Sequence, residues 1–208
     1  MNNLVAIILA AGKGTRMRSK YPKVLHKVGG KPMLQHVIDA ATVAGADKKV
    51  IIVGHEAEMV EAMVGEQGTI ALQAEQLGTG HAVMQTAEAL KGFTGTALIL
   101  CGDTPLLDGE ELKKFCEAHQ ASGAAATVLT AIMDDPFGYG RIIRDADGNV
   151  QGIVEQKDAT EEQKAIKEIN TGIYCMECPQ MFDHLAVDIT MLAIGHEPST
   201  RKPSFSPK

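Results

Sequence analysis

Leu4-Val-Ala-Ile-Ile-Leu9-Ala-Ala-Gly12-Lys-Gly14-Thr-Arg16-Met17 is the stretch on which the fold turns. A short, continuous apolar run rich in branched residues, with no polar alternation, reads as a central strand buried on both faces. The glycines end that strand and place the following loop at the carboxyl edge of a sheet, where open α/β folds bind ligands. Similar runs recur at Val50-Ile-Ile-Val53 and Ala97-Leu-Ile-Leu100, with a weaker one at Thr69-Ile-Ala-Leu72. Between them lie helical patterns over Pro32 to Ala44, Glu56 to Val64, Thr79 to Leu90 and Gly109 to Ala121, the first opened by proline. This alternation predicts βαβ units around a parallel sheet.

After Ser122 the rhythm becomes strand-rich, with candidate strands at Ala125 to Ile132, Gly140 to Arg144, Val150 to Glu155 and Ile169 to Cys175. Asp145-Ala-Asp-Gly-Asn149 suits a hairpin turn, and Thr160-Glu-Glu-Gln163 a capping box, because these residues favour those local geometries. The predicted fold class is therefore α/β, a Rossmann-like, mostly parallel but mixed sheet flanked by helices, with a β-rich C-terminal part. One domain is expected over residues 1–187. From Asp188 the chain turns Pro- and Ser-rich, and residues 188–208 read as a disordered or atypical tail.

At 208 residues and 45% hydrophobic, the chain has enough apolar content for one sizeable core. A net charge of −6 without a run of Lys or Arg argues against a nucleic-acid partner. No membrane span or secretory signal is legible, so the expectation is a cytoplasmic protein without a membrane partner. The four cysteines are too scattered for a disulfide framework and read as buried thiols. Cys175-Met-Glu-Cys178 has the spacing of a redox or zinc pair, but no second pair follows it.

The first loop carries the strongest chemical signal. Glycines allow backbone N–H groups close to phosphate oxygens, and Lys13, Arg16 and Lys23 offset phosphate charge. A dinucleotide fingerprint requires a small residue where Met17 stands, and a Walker loop requires Gly-Lys-Ser/Thr after a four-residue gap. Neither is present. The plain alternative is a glycine turn with solvated cations.

With Pro22-Lys23 in register behind it, this loop resembles the signature of the sugar-nucleotide pyrophosphorylases, Leu-x-x-Gly-x-Gly-Thr-Arg-Met followed by Pro-Lys. The resemblance covers about Leu4 to Ala186 and implies nucleotidyl transfer. It implies that Arg16 and Lys23 bind and stabilise the triphosphate, with Leu9, Ala10, Ala11 and Gly12 near the base.

Gln73-Ala-Glu-Gln76-Leu-Gly78-Thr79-Gly80-His81-Ala82 starts at a strand end and enters a helix. A primary amide at Gln73 complements the N3–H and carbonyls of uracil, and Gly78 leaves backbone open to a flat base. A surface glutamine is the bland alternative. The segment, Thr79 included, is similar to the uridine-recognition segment of the family's N-acetylglucosamine-1-phosphate uridyltransferase branch. Cys101-Gly102-Asp103 follows a buried strand. Asp103 suits a Mg²⁺ held by one carboxylate and substrate phosphates, or else a turn cap. The family's Gly-Asp motif implies the metal and nucleotide role.

In the family the loop at Gly140 contacts the sugar. Glu155 and Asn170 each put a polar group in an apolar strand context, which reads as hydroxyl recognition in a ligand site or, plainly, as a pair of satisfied edge-strand residues. The implied reaction forms UDP-N-acetylglucosamine and pyrophosphate from UTP and N-acetylglucosamine 1-phosphate, with Mg²⁺ as cofactor. Departures lie at the C-terminal end. Nothing from Asp188 onward matches the family's later stretch, which supplies a second metal-binding Asn or Asp, and the acetyltransferase and trimerisation part is not seen. The rival expectations are a UDP-sugar-binding module with little turnover, or a nucleotidyltransferase for another sugar phosphate.

Overall fold

The computed structural model describes residues 3–12, 14 and 17–193, with side chains described as far as Leu185. It divides into two compact units. The first comprises residues 1–127 and 173–189, and the second is built around Val128–Gly172.

In the first unit, strands β1 (Leu4–Leu9), β4 (Lys48–Val53), β5 (Thr69–Leu72) and β6 (Thr96–Cys101) form the parallel sheet that the apolar runs predict. A small antiparallel pair, β2 (Lys27–Val28) and β3 (Lys31–Pro32), lies between β1 and β4 in the chain. The sheet order is β5-β4-β1-β6 and then β10 (Glu168–Glu177). Ile7 stands opposite Val50 on one side and Ile99 on the other. The end of β10 runs antiparallel to β6, with Cys175 opposite Leu98. The sheet is mixed as expected, the reversal falling at β10.

Helices α1 (Met33–Val43), α2 (Ala57–Val64), α3 (Thr79–Met84), α4 (Gly109–Ser122) and α6 (Cys178–Ala193) belong to this unit or begin in it. Val5, Ile7, Val50, Ile52, Ala97 and Ile99 pack with Ala82 and Val83 of α3 and Cys178 and Met181 of α6. Alternation of the pleat sends Ile8, Ile51, Leu98 and Leu100 to the other face, where they are equally buried. Burying one such side chain is worth about 1.5–3 kcal/mol, so both faces of β1 contribute to stability.

Two element boundaries differ from the sequence pattern. The apolar spacing predicts helix to Leu90, but α3 ends at Met84. Beyond it the amides of Gln85, Thr86 and Ala87 bond three residues back, and the Thr86 hydroxyl donates to the Val83 carbonyl at 2.7 Å, competition that tightens the chain into turns. At the other end, α6 continues to Ala193, past the expected boundary at 187. Leu185, Ile189 and Leu192 keep a helical spacing that the Pro- and Ser-rich composition farther on obscures. Residues 194–208 of the expected tail lie outside the described residues.

The second unit holds most of β7 (Ala126–Ile132), all of β8 (Arg141–Arg144) and β9 (Val150–Val154), and the start of β10. β8 and β9 form an antiparallel hairpin. Its turn closes as the sequence predicts, with the Asp145 amide donating to the Asn149 carbonyl at 3.0 Å. The four-residue helix α5 (Glu161–Lys164) has the full capping box of Thr160 and Gln163.

Candidate active site

The carboxyl ends of β1, β5 and β6 open onto a cleft of about 460 Å³ in the first unit. Its wall includes Leu9, Ala11, Gly12, Lys23, Gln73, Gly78, Thr79, Cys101 and Asp103, all singled out from sequence. Two others stand behind the wall. Ala10 is buried and its amide donates to Ile52 at 2.8 Å. Gly102 donates to the Leu9 carbonyl at 2.9 Å, so that the exit of β6 is bonded to the exit of β1. Arg16, the other expected phosphate-binding group, and Lys13 lie outside the described residues.

Lys23 opens a single 3-10 turn over Lys23–Leu25, directly after Pro22. Val24 and Leu25 are buried, which anchors the turn and leaves the Lys23 side chain to enter the cleft. Gly14 has φ +56°, and a Cβ there would stand 2.8 Å from the Lys23 Cβ. Glycine is thus required both by backbone conformation and by the approach of Lys23. The Lys23 ammonium makes a close ion pair with Asp103 Oδ2, both side chains being about one-third exposed.

Asp103 does not cap a helix. That role at the start of α4 belongs to Asp108, whose Oδ1 accepts the Glu110 amide at 2.8 Å. Asp103 presents a hard carboxylate oxygen at a partly open cleft wall, a donor compatible with a divalent cation whose other ligands come from phosphates and water. Among the described residues no three His, Cys, Asp or Glu side chains gather around such an ion. Burial, with the nearby Asp103 charge as a smaller cause, pushes the Cys101 thiol up. Without a metal beside it, the thiol form dominates at neutral pH. Cys175 faces Cys116 of α4 across 3.6 Å between sulfurs, and all four cysteines are unbridged.

Gln73 is only 5% exposed. Its Nε2 donates to the Gly78 carbonyl at 3.1 Å and contacts His81 Nδ1 at 3.2 Å. The amide nitrogen is thereby turned to Gly78 and His81, whose Nε2 also meets the Gln85 amide nitrogen at 3.3 Å, while Oε1 takes no donor among the described residues. The amide was expected to offer both donors and an acceptor to a base; the structure leaves the acceptor. His81, given no role from the sequence, fixes that orientation. Gln76 was also missed, and its Nε2 donates to the Ala11 carbonyl at 2.6 Å, tying this loop to the first one. Its signal was a second amide three residues after Gln73 in a glycine-containing loop.

In the second unit the three residues expected on the sugar side come together. A Cβ on Gly140 would lie 3.0 Å from Ile153 Cγ2, 3.2 Å from Glu155 Oε1 and 3.5 Å from Asn170 Cβ. The Asn170 amide donates to the Gly140 carbonyl at 2.9 Å, and its side-chain Oδ1 accepts the Gly172 amide at 2.9 Å. Arg141 was not foreseen as a support. It is buried, and its guanidinium donates to the Tyr139 carbonyl and to Gln156 Oε1, the latter at 2.8 Å. Those bonds brace the Phe137–Gly140 loop against the segment after β9.

No described helix is long and apolar enough to cross a membrane. Residues 5–200 match the family described as Nucleotidyl transferase. The chain is 56% identical over 186 residues to the bifunctional protein GlmU of Enterococcus faecalis, covering 89% of this chain and 41% of that one. Against GlmU of Pelotomaculum thermopropionicum it is 55% identical over 183 residues, covering 88% and 40%. It therefore spans about two fifths of these relatives' length, and the similarity lies in their N-terminal region. Among solved structures, a protein assigned as a glucose-1-phosphate thymidylyltransferase of Bacillus anthracis, crystallised with sucrose, superposes with a TM-score of 0.75 at 21% identity, over 95% of this chain and 77% of that one. A UDP-glucose pyrophosphorylase complexed with UDP-glucose gives 0.70 at 20% identity, over 89% and 80%. At those identities the structures bear on the fold alone. The sequence match over nearly the whole chain, on a sheet whose carboxyl edge carries the cleft, makes this protein a member of the nucleotidyl transferase family.

Proposed function

We propose that this chain transfers uridylyl from UTP to N-acetylglucosamine 1-phosphate, giving UDP-N-acetylglucosamine and pyrophosphate. The observation that carries the reading is the cleft of the first unit, which Gln73, Lys23 and Asp103 line together. The similarity to GlmU supports the choice of uridine and of the amino sugar.

In this reading the uracil N3–H donates to Gln73 Oε1, held in place by Gly78 and His81. Gly12 and Gly14 let the triphosphate approach the backbone, and Lys23 neutralises charge that grows on the leaving pyrophosphate. The sugar-phosphate oxygen attacks the α-phosphorus, forming one P–O bond as the α–β bridge bond breaks in line. No covalent enzyme intermediate is needed, so alignment and charge neutralisation supply the catalysis. Nucleotidyl transferases use a divalent metal; Asp103 would hold Mg²⁺, which when bound supplies Lewis-acid stabilisation of the phosphates. Glu155 and Asn170, gathered around Gly140, orient sugar hydroxyls. We place the reaction in the cytoplasm, where UTP is available.

A panel of nucleoside triphosphates and sugar 1-phosphates assayed for pyrophosphate release tests the proposal. UTP with N-acetylglucosamine 1-phosphate should be the best pair. Equal rates with dTTP and glucose 1-phosphate would refute the substrate assignment.

A further inference from the structure

Lys23 and Asp103, eighty positions apart in the chain, pair with each other, although the proposed function gives each a different partner. Lys23 is assigned to polyphosphate and Asp103 to a divalent cation. An ammonium in contact with Oδ2 competes with a metal for that oxygen and repels it. Among the described residues Asp103 has no other ion-pair partner. The backbone of Lys23 is pinned by buried Val24 and Leu25 and by its close approach to Gly14. Its side chain, a flexible four-carbon stem about one-third exposed, is free to exchange one anion for another.

We propose that Lys23 is an internal counter-ion for Asp103, which keeps divalent metal off the carboxylate of the free chain until a polyphosphate draws the ammonium away. Metal and nucleotide then enter together, as Mg²⁺ bound to the triphosphate, and neither loads well alone. The proposal rests on the nucleotide reading of this cleft and adds an order of assembly to it.

Mn²⁺ titrated into the full chain without nucleotide, with free aqueous Mn²⁺ followed by electron paramagnetic resonance, reads the competition without any turnover. Wild type should bind weakly. Lys23→Met, which keeps the apolar stem and removes the charge, should bind about tenfold more tightly. Lys23→Arg should stay at the wild-type level, and Asp103→Asn combined with Lys23→Met should lose the gain. In EDTA, calorimetry should show UTP binding several-fold more tightly to Asp103→Asn than to wild type, since Lys23 no longer leaves a carboxylate. Equal Mn²⁺ affinity in wild type and Lys23→Met, with weaker binding by Asp103→Asn, would overturn the counter-ion role and leave Asp103 a metal ligand. Mn²⁺ binding insensitive to every change at Asp103 would overturn the metal reading itself.

Discussion

The two units build their candidate sites from different materials. The first gathers loops from the ends of parallel strands and works through backbone, small residues and one ion pair. The second sets acid and amide side chains around Gly140 in an antiparallel frame, with Arg141 buried beneath them. The difference follows from the ligands each would take. Phosphates are spherical charge, met by amides and ammonium groups, whereas sugars differ by the direction of single hydroxyls, which aimed side chains distinguish. Parallel strands end together at one edge and supply the first kind of site; antiparallel strands expose alternating side chains along their length and supply the second.

The comparison is broken most directly at the ion pair. Lys23→Ala and Asp103→Ala should each lower kcat for pyrophosphate release by about 10²–10³, with the thermal midpoint little changed. Near-normal turnover in either variant would remove it from the reaction. Gly140→Ala is the counterpart in the second unit. Its methyl would press on Ile153 and the Glu155 carboxylate, raising KM for the sugar phosphate about tenfold while KM for UTP holds. A rise in both constants would mean the division of labour is wrong.

Gln73→Ala should act in the opposite sense, costing about tenfold in the preference for UTP over CTP, the worth of one buried hydrogen bond to the base. Competition between the two triphosphates in a single assay reads this directly. The smallest effect is on stability. The hydrogen bond from Arg144 holds the Glu168 carboxyl below its usual range, through contacts of 2.8 and 2.7 Å. A depressed folded value means that the pair stabilises above the unfolded pKa, near ~4.3, and loses that contribution as pH falls through the folded value. Arg144→Met should therefore cost about 0.5 kcal/mol at pH 7 and progressively less toward pH 3 in urea unfolding. A constant deficit at both values would assign the effect to packing.

The parallel sheet and its loops were legible because β1, β4 and β6 are buried on both faces and so appear as unbroken apolar runs. Strand ends located the loops of the first unit's wall, and the resemblance singled out the residues on them. What sequence could not reveal depends on distance in the chain. Lys23 and Asp103 are each recognisable, but their pairing is a product of the fold. The burial of Arg141 likewise depends on Tyr139 and Gln156 being brought around it by the fold. The early end of α3 is a contest between apolar spacing, which is visible, and the Thr86 hydroxyl, whose reach depends on local geometry.

The orientation of Gln73 has a consequence for how a base is chosen. With its nitrogen turned to the Gly78 carbonyl and His81, the amide leaves its oxygen, and so its lone pairs, for a ligand. Cytosine would present another lone pair at its N3, and two acceptors facing each other in a desolvated wall repel. Selection at this position then works by rejection of the wrong base as much as by attraction of the right one.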